Sequence, residues 1–147
     1  MSIKIVQGVF DPWREVIDFQ ASMPTPLNQC GATSVFVGTM RDFNDGDRVN
    51  SMTLEHYPAM TQKQLEKIGA DAKQKYAINE LLIVHRVGII LPSDAIVLVA
   101  VWSAHRAAAF DACREVMEEL KSSAPFWKKE DTDGGSKWVA HNTPRSN

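Results

Sequence analysis

The chain has 147 residues, 44% of them hydrophobic and 23% charged, which suits one globular domain around a single core and excludes disorder over most of its length. A formal net charge of −2 excludes a broad basic face of the kind that grips duplex nucleic acid, so any anion site has to be local. The charge is uneven: residues 1–120 carry 11 Lys and Arg against 15 Asp and Glu, whereas residues 121–147 carry 5 against 3, so the positive excess lies at the C-terminal end.

Cys30 and Cys113 are far apart and form no C-x-x-C pair, which argues against a zinc ribbon or a disulfide scaffold and for a reducing compartment. The first twenty residues lack the basic start and apolar stretch of a secretory signal, and no apolar run approaches the length of a membrane span. A soluble, cytoplasmic protein that binds neither membrane nor nucleic acid is expected. One domain over residues 1–147 is expected, with a variable strand and helix over 1–28 and a flexible tail over 141–147.

In chain order, Lys4–Gln7 reads as a short strand, and Asp11-Pro12 supplies a capping residue and a first-turn proline for a helix to about Gln20 with Trp13, Val16 and Ile17 as its buried stripe. Residues 22–29, with Pro24 and Pro26, read as a loop. The β-branched and aromatic runs Ala32–Met40 and Ser51–Tyr57 are predicted strands, joined by a polar hairpin loop over residues 41–48 whose arginines, Arg41 and Arg48, flank the turn. Thr61 and Gln64 have capping-box spacing, with Met60 and Leu65 placed as a hydrophobic staple, for a helix whose stripe is Leu65, Ile68 and Ala72. Leu81–Val87 is a strand, Pro92-Ser93-Asp94 a turn, and Ala95–Trp102 an unbroken apolar strand expected at the centre of a sheet. Ser103 is placed to cap a long helix over residues 104–124 with Ala109, Cys113, Val116 and Leu120 on one face. Pro125 stops it; a turn at Gly134-Gly135 and a strand at Lys137–Ala140 follow.

The chemistry-bearing residues are cationic. His105 and Arg106 stand in the first turn of the long helix, where free backbone N–H groups and a guanidinium suit phosphate or carboxylate. Lys121 lies at the end of that helix, and Pro125, Phe126 and Trp127 form an apolar patch that can fold Lys128 back toward it and partly desolvate both. Two ammonium groups in one dry pocket disfavour each other's protonation, which suits a lysine to acid, base or nucleophilic work. Asp42, Asn44, Asp45 and Asp47 do not make a calcium loop, because the glycine is out of register and Thr53 occupies the twelfth position. His56 and His85 read as core or rim histidines, Cys113 as a buried structural thiol, and no histidine pair has metal-ligand spacing. The usual cofactor motifs are absent. These residues alone describe a small α+β protein with a concentrated cationic site for a small anion. A noncatalytic phosphometabolite-binding module and a scaffold that uses the aromatic patch as an interface remain open beside an enzyme.

The ordered set Phe36-Val37-Gly38-Thr39-Met40-Arg41, Asn44, Gly46, Leu54-Glu55-His56-Tyr57, His85-Arg86-Val87-Gly88, Ser103-Ala104-His105-Arg106, and Lys121 with Ala124-Pro125-Phe126-Trp127-Lys128-Lys129-Glu130 resembles the molybdopterin synthase large-subunit family. The resemblance runs from about Gln29 to Trp138, with Met40 where valine is more usual and no matching arginine directly after Val139. It implies an α/β-hammerhead type of α+β fold, a mainly antiparallel sheet packed with about three helices. It also implies a homodimer within a heterotetramer and a small ubiquitin-like sulfur carrier ending in a Gly-Gly thiocarboxylate. The implied activity is sulfur transfer from that carrier to cyclic pyranopterin monophosphate, making the dithiolene of molybdopterin without a resident cofactor or metal. By the same resemblance, Lys121 and Lys128 are the catalytic pair, Arg41, His105 and Arg106 hold the substrate, with the His-Arg pair coming from across the dimer interface, and Phe36 and Met117 line the tunnel for the carrier's tail. Gly134-Gly135 is internal, so this chain is the acceptor of such a tail and not its donor.

Overall fold

A computed structural model describes residues 1–139. The end of the expected last strand at Ala140 and the tail over 141–147 lie outside the described residues.

The apolar run at residues 95–103 forms β7 (Ala95–Ser103), which lies between β5 (Ile78–Arg86) and β2 (Ala32–Thr39), antiparallel to both. β1 (Ser2–Val6) joins the far side of β5 in parallel, giving a four-stranded sheet in the order β1-β5-β7-β2. The central position explains the absence of polar alternation in β7: both of its faces are covered. Val97, Val99 and Val101 face one way, onto Leu65, Ile68 and Ala72 of α2 (Pro58–Lys75) and Ala112, Cys113, Val116 and Leu120 of α3 (Arg106–Ser123). Leu98, Ala100 and Trp102 face the other way, toward Val16 and Phe19 of α1 (Pro12–Ser22). Leu65, Leu98, Val99, Val101, Trp102 and Val116, the large and fully buried side chains among these, each contribute about 1.5–3 kcal/mol of apolar burial.

Three helix starts illustrate local signals that tertiary context accepts or overrides. The Asp11 carboxylate accepts hydrogen bonds from the backbone N–H groups of Trp13 (3.0 Å) and Arg14 (3.3 Å), the expected cap. The stripe of α1 is displaced, however: Trp13 and Ile17 are 59% and 54% exposed, and the helix seats on Pro12, Val16, Phe19 and Gln20. Both stripes have helical spacing; the sheet selects the second, because Phe19 packs on Trp102 at 5.1 Å and Gln20 Oε1 accepts from the Trp102 indole N–H at 3.0 Å. α2 begins at Pro58 and not near Thr61, since proline is favoured at a first helical position; Thr61 is buried inside the helix and there is no capping box. α3 begins at Arg106 with His105 at the capping position, and Ser103 belongs to β7.

A second sheet runs β3 (Phe43–Asn44), β4 (Asp47–His56), β8 (Phe126–Thr132) and β9 (Gly135–Val139), with β6 (Gly88–Ile90) also on β4. The expected polar loop is thus a tight hairpin whose corner residues Asp45 and Gly46 both have positive φ, 51° and 81°, as an Asp-Gly two-residue turn requires. Met40, Val49, Met52, Leu54 and Ile90 form the core of this sheet. Among the described residues, three α-helices and a mostly antiparallel set of strands make the α+β architecture expected from the sequence.

Candidate active site

The second sheet positions the cations. Residues 124 and 125 form the whole link between α3 and β8, and the Phe126 N–H donates to the Ala124 carbonyl at 2.9 Å, so the chain reverses within a few residues of Lys121. β8 then pairs with β4 in the register His56↔Phe126, Leu54↔Lys128, Met52↔Glu130. Strand alternation puts Phe126, Lys128 and Glu130 on the inner face and Trp127, Lys129 and Asp131 outside. The expected patch of Pro125, Phe126 and Trp127 therefore divides: Phe126 shares the inner face with Lys128, while Trp127 is 44% exposed on the opposite face, edge-on to Tyr57 at 4.9 Å. Lys121 stays exposed in the last turn of α3, so only Lys128 loses solvent to the degree expected of both.

Arg41 arrives from the other end of the chain, between two anchored neighbours. Met40 exchanges backbone hydrogen bonds with the Ser93-Asp94 turn, at 2.9 Å each, and the Asp42 carbonyl accepts from the Val49 N–H at 2.8 Å. The guanidinium lies 4.9 Å from the centre of the Phe43 ring, a cation-π contact that limits its wandering. Arg41, Lys121 and Lys128 line one cavity of about 460 Å³ together with Asn44, Asp45 and Glu130.

Three cations face two carboxylates there, and one carboxylate is held in place. Glu130 is 3% exposed; its Oε1 accepts from the Asn44 amide at 2.7 Å, and its Oε2 has no hydrogen-bond partner among the described residues. The Lys128 ammonium is pushed below its ordinary pKa, chiefly because burial penalises its charge, with Lys121 and Arg41 adding repulsion against the attraction of Glu130. A lysine so placed gives up and regains a proton more readily near neutrality than an exposed one. Glu130 and Asn44 were not singled out as site residues from the sequence. The period-two alternation of β8 would have placed Glu130 beside Lys128 had residues 126–132 been read as a strand.

A smaller, mostly apolar chamber of about 190 Å³ adjoins the cavity, with Lys121 and Lys128 in the walls of both. Phe36 and Met117 line it, as do Phe126 and His85. His85 is 8% exposed and was read from the sequence only as a core or rim residue. Its ring stacks on Phe126 at 4.0 Å and 16°, and its Nδ1 lies 2.9 Å from the Arg86 carbonyl oxygen. Burial pushes its pKa down to about 4, with nearby His56 acting in the same direction and the Arg86 carbonyl opposing them.

His105 and Arg106 are elsewhere. They stand at the opposite end of α3, roughly 22 Å along the axis from Lys121 at 1.5 Å per residue, and line neither the cavity nor the chamber. Their turn is nonetheless firmly built. Ser103 Oγ accepts from the His105 N–H at 3.2 Å, and the Gly31 N–H donates to the Ser103 carbonyl at 2.9 Å. A side chain at Gly31 would meet the Ala104 carbonyl oxygen at 2.2 Å, so only glycine fits there. Within one chain the cationic set is divided between two ends of one helix.

A family model described as MoaE protein matches residues 12–123, a span that includes β2, Arg41, His105, Arg106 and Lys121. The chain belongs to the MoaE protein family. Among MoaE relatives, the molybdopterin synthase catalytic subunit of Pseudomonas aeruginosa is 50% identical over 95% of this chain and 90% of its own length. That of Haemophilus influenzae is 53% identical over 74% of this chain and 73% of its own length. A MoaE structure from Burkholderia ambifaria superposes with a TM-score of 0.79 at 46% identity, covering 97% of this chain and 90% of that one. The molybdopterin synthase structure from Staphylococcus aureus superposes with a TM-score of 0.83 at 33% identity, covering 95% and 97%.

Proposed function

We propose that this chain is the catalytic subunit of a molybdopterin synthase: a sulfurtransferase that takes sulfur from the C-terminal thiocarboxylate of a small ubiquitin-like carrier and delivers it to cyclic pyranopterin monophosphate. The observation that carries the reading is the convergence of Arg41, Lys121 and Lys128, which come from separate segments of the chain, on one cavity that shares walls with an apolar chamber. Two anions have to meet in such a reaction, a thiocarboxylate and a cyclic phosphate, and preorganised cations lower the cost of that encounter and of charge that develops as the ring opens. Arg41 holds phosphate or pterin oxygen, Lys121 stands beside the incoming thiocarboxylate, and Lys128, its pKa lowered, transfers the proton. Phe36 and Met117 wall the chamber that the carrier's extended tail enters.

His105 and Arg106 join the substrate site of a neighbouring copy, because their distance along α3 keeps them from the cavity of their own chain. The working form is then a homodimer of this chain with a carrier at each end. It works as one domain in the cytoplasm, where Cys30 and Cys113 stay as thiols; no helix of the described residues is long and apolar enough to cross a membrane.

The test combines the purified chain, a thiocarboxylated carrier and cyclic pyranopterin monophosphate. Dithiolene product is expected with wild type. Lys121→Ala is expected to abolish turnover while retaining most of the pterin affinity, since a group that acts in the transition state changes rate more than binding. Absence of product with wild type refutes the enzyme, and pterin that still binds in that case points to a noncatalytic phosphometabolite-binding module; loss of binding in step with loss of product in Lys121→Ala would make Lys121 a binding residue and not one that acts in the transition state.

A further inference from the structure

The geometry points to a role for His85: its Nε2 accepts a hydrogen bond from a backbone N–H of the carrier's C-terminal tail inside the chamber, which makes His85 a tail-binding residue. This rests on the reading of the site given above and adds to it a polar contact within an otherwise greasy passage.

An extended tail that leaves water for an apolar chamber brings peptide N–H groups that need acceptors, and an unmet one is costly. The chamber offers few. Lys121 and Lys128 are donors, Phe36, Met117, Leu120 and Phe126 contribute only carbon or sulfur, and among the lining side chains that leaves the Thr39 hydroxyl and the His85 ring as acceptors. His85 is placed to supply an acceptor and is held in one orientation to do so. Stacking on Phe126 at 4.0 Å fixes the plane of the ring. The Arg86 carbonyl, 2.9 Å from Nδ1, can only accept, so Nδ1 carries the proton and Nε2 carries the lone pair. Among the described residues the ring's hydrogen bond is the one at Nδ1, and Nε2 makes none. Burial keeps the ring neutral at physiological pH, so the lone pair stays available. Because Lys121 and Lys128 line chamber and cavity alike, a tail held at His85 has its terminal anion directed toward the ammonium groups.

The experiment measures, by calorimetry, binding of the carrier in its stable carboxylate form and of the same carrier lacking its last two glycines. His85→Phe keeps the stacked ring and removes the acceptor; it is expected to weaken binding of the intact carrier about tenfold and to leave binding of the shortened carrier unchanged. His85→Gln, whose amide oxygen occupies the place of Nε2, is expected to restore most of the loss. A measurement on wild type makes the proposal independent of how the variants fold: the nitrogen resonance of unprotonated Nε2 is expected to move when intact carrier is added and to stay when shortened carrier is added. Equal loss with both carriers, no loss with either, or an unmoved resonance overturns the role of His85. Wild type that binds carrier and makes product while His85→Phe matches it overturns this inference alone; wild type that binds no carrier overturns it together with the proposed function.

Discussion

Acidification provides a quantitative check on the chamber. The His85 ring has an ordinary pKa of 6.5 when the chain is unfolded and about 4 when folded. The folded state therefore holds this ring neutral over a range in which the unfolded state binds a proton. The contribution to stability is fully present above pH 6.5 and is lost as pH falls toward 4. The difference of about 2.5 units, at 1.36 kcal/mol each, corresponds to roughly 3 kcal/mol when complete, and to about 2 kcal/mol at pH 5. Carboxylates complicate the raw curve: Asp94, bonded to the Leu91 N–H and Arg86, has a lowered pKa and loses its own contribution on acidification. Subtraction removes that complication. Urea unfolding of wild type and of His85→Phe at pH 8 and pH 5 should show wild type losing about 2 kcal/mol more than the variant over this interval. Parallel losses in the two proteins would refute the burial argument and mean that His85 is solvated in the native chain.

Four further outcomes are expected. Glu130→Gln removes the charge that holds the Lys128 pKa up, so the limb of the pH-rate profile that reports Lys128 should move to lower pH; an unmoved profile would show that Lys128 does not titrate in turnover. Arg41→Ala should weaken binding of the cyclic pterin phosphate roughly ten- to hundredfold by titration calorimetry, the range for a charged hydrogen bond lost from a site, and unchanged affinity would remove Arg41 from it. Gly31→Ala forces a backbone shift against Ala104 and should cost about 1–3 kcal/mol in denaturant unfolding, with a wild-type midpoint counting against the close approach. Leu65→Ala, in a fully buried position between α2 and the first sheet, should cost about 2–5 kcal/mol, and a cost below 1 kcal/mol would mean that the core there collapses freely.

Local chemistry along the chain determined a good part of this protein. The Asp11 cap, the Asp45-Gly46 turn, the Pro125 stop and the buried run at residues 95–103 are short-range or strongly patterned signals, and the structure keeps each of them. The stripe of α3 at Ala109, Cys113, Val116 and Leu120 is likewise a property of helical spacing, and all four residues are buried. Residue types in a distinctive order were enough to point to the family and to nominate Arg41, Lys121 and Lys128.

Choices between equivalent local patterns belonged to the tertiary structure. α1 has two apolar stripes, and only the position of Trp102 beneath it decides that Phe19 goes in while Trp13 and Ile17 stay out. Residues 126–132 carry too few β-branched positions to declare a strand, and they become one because β4 offers an edge to pair with. That pairing puts a half-buried Lys128 and a buried Glu130 on one face and turns Trp127 outward, so the electrostatics of the site depend on register between segments about seventy residues or more apart. His85 makes the same point: its strand pattern gives it only a core or rim position, and it gains its place in the chamber with Phe126 lying across its ring. Long-range pairing has no local sequence signature, because the energy that selects it comes from surfaces meeting in space.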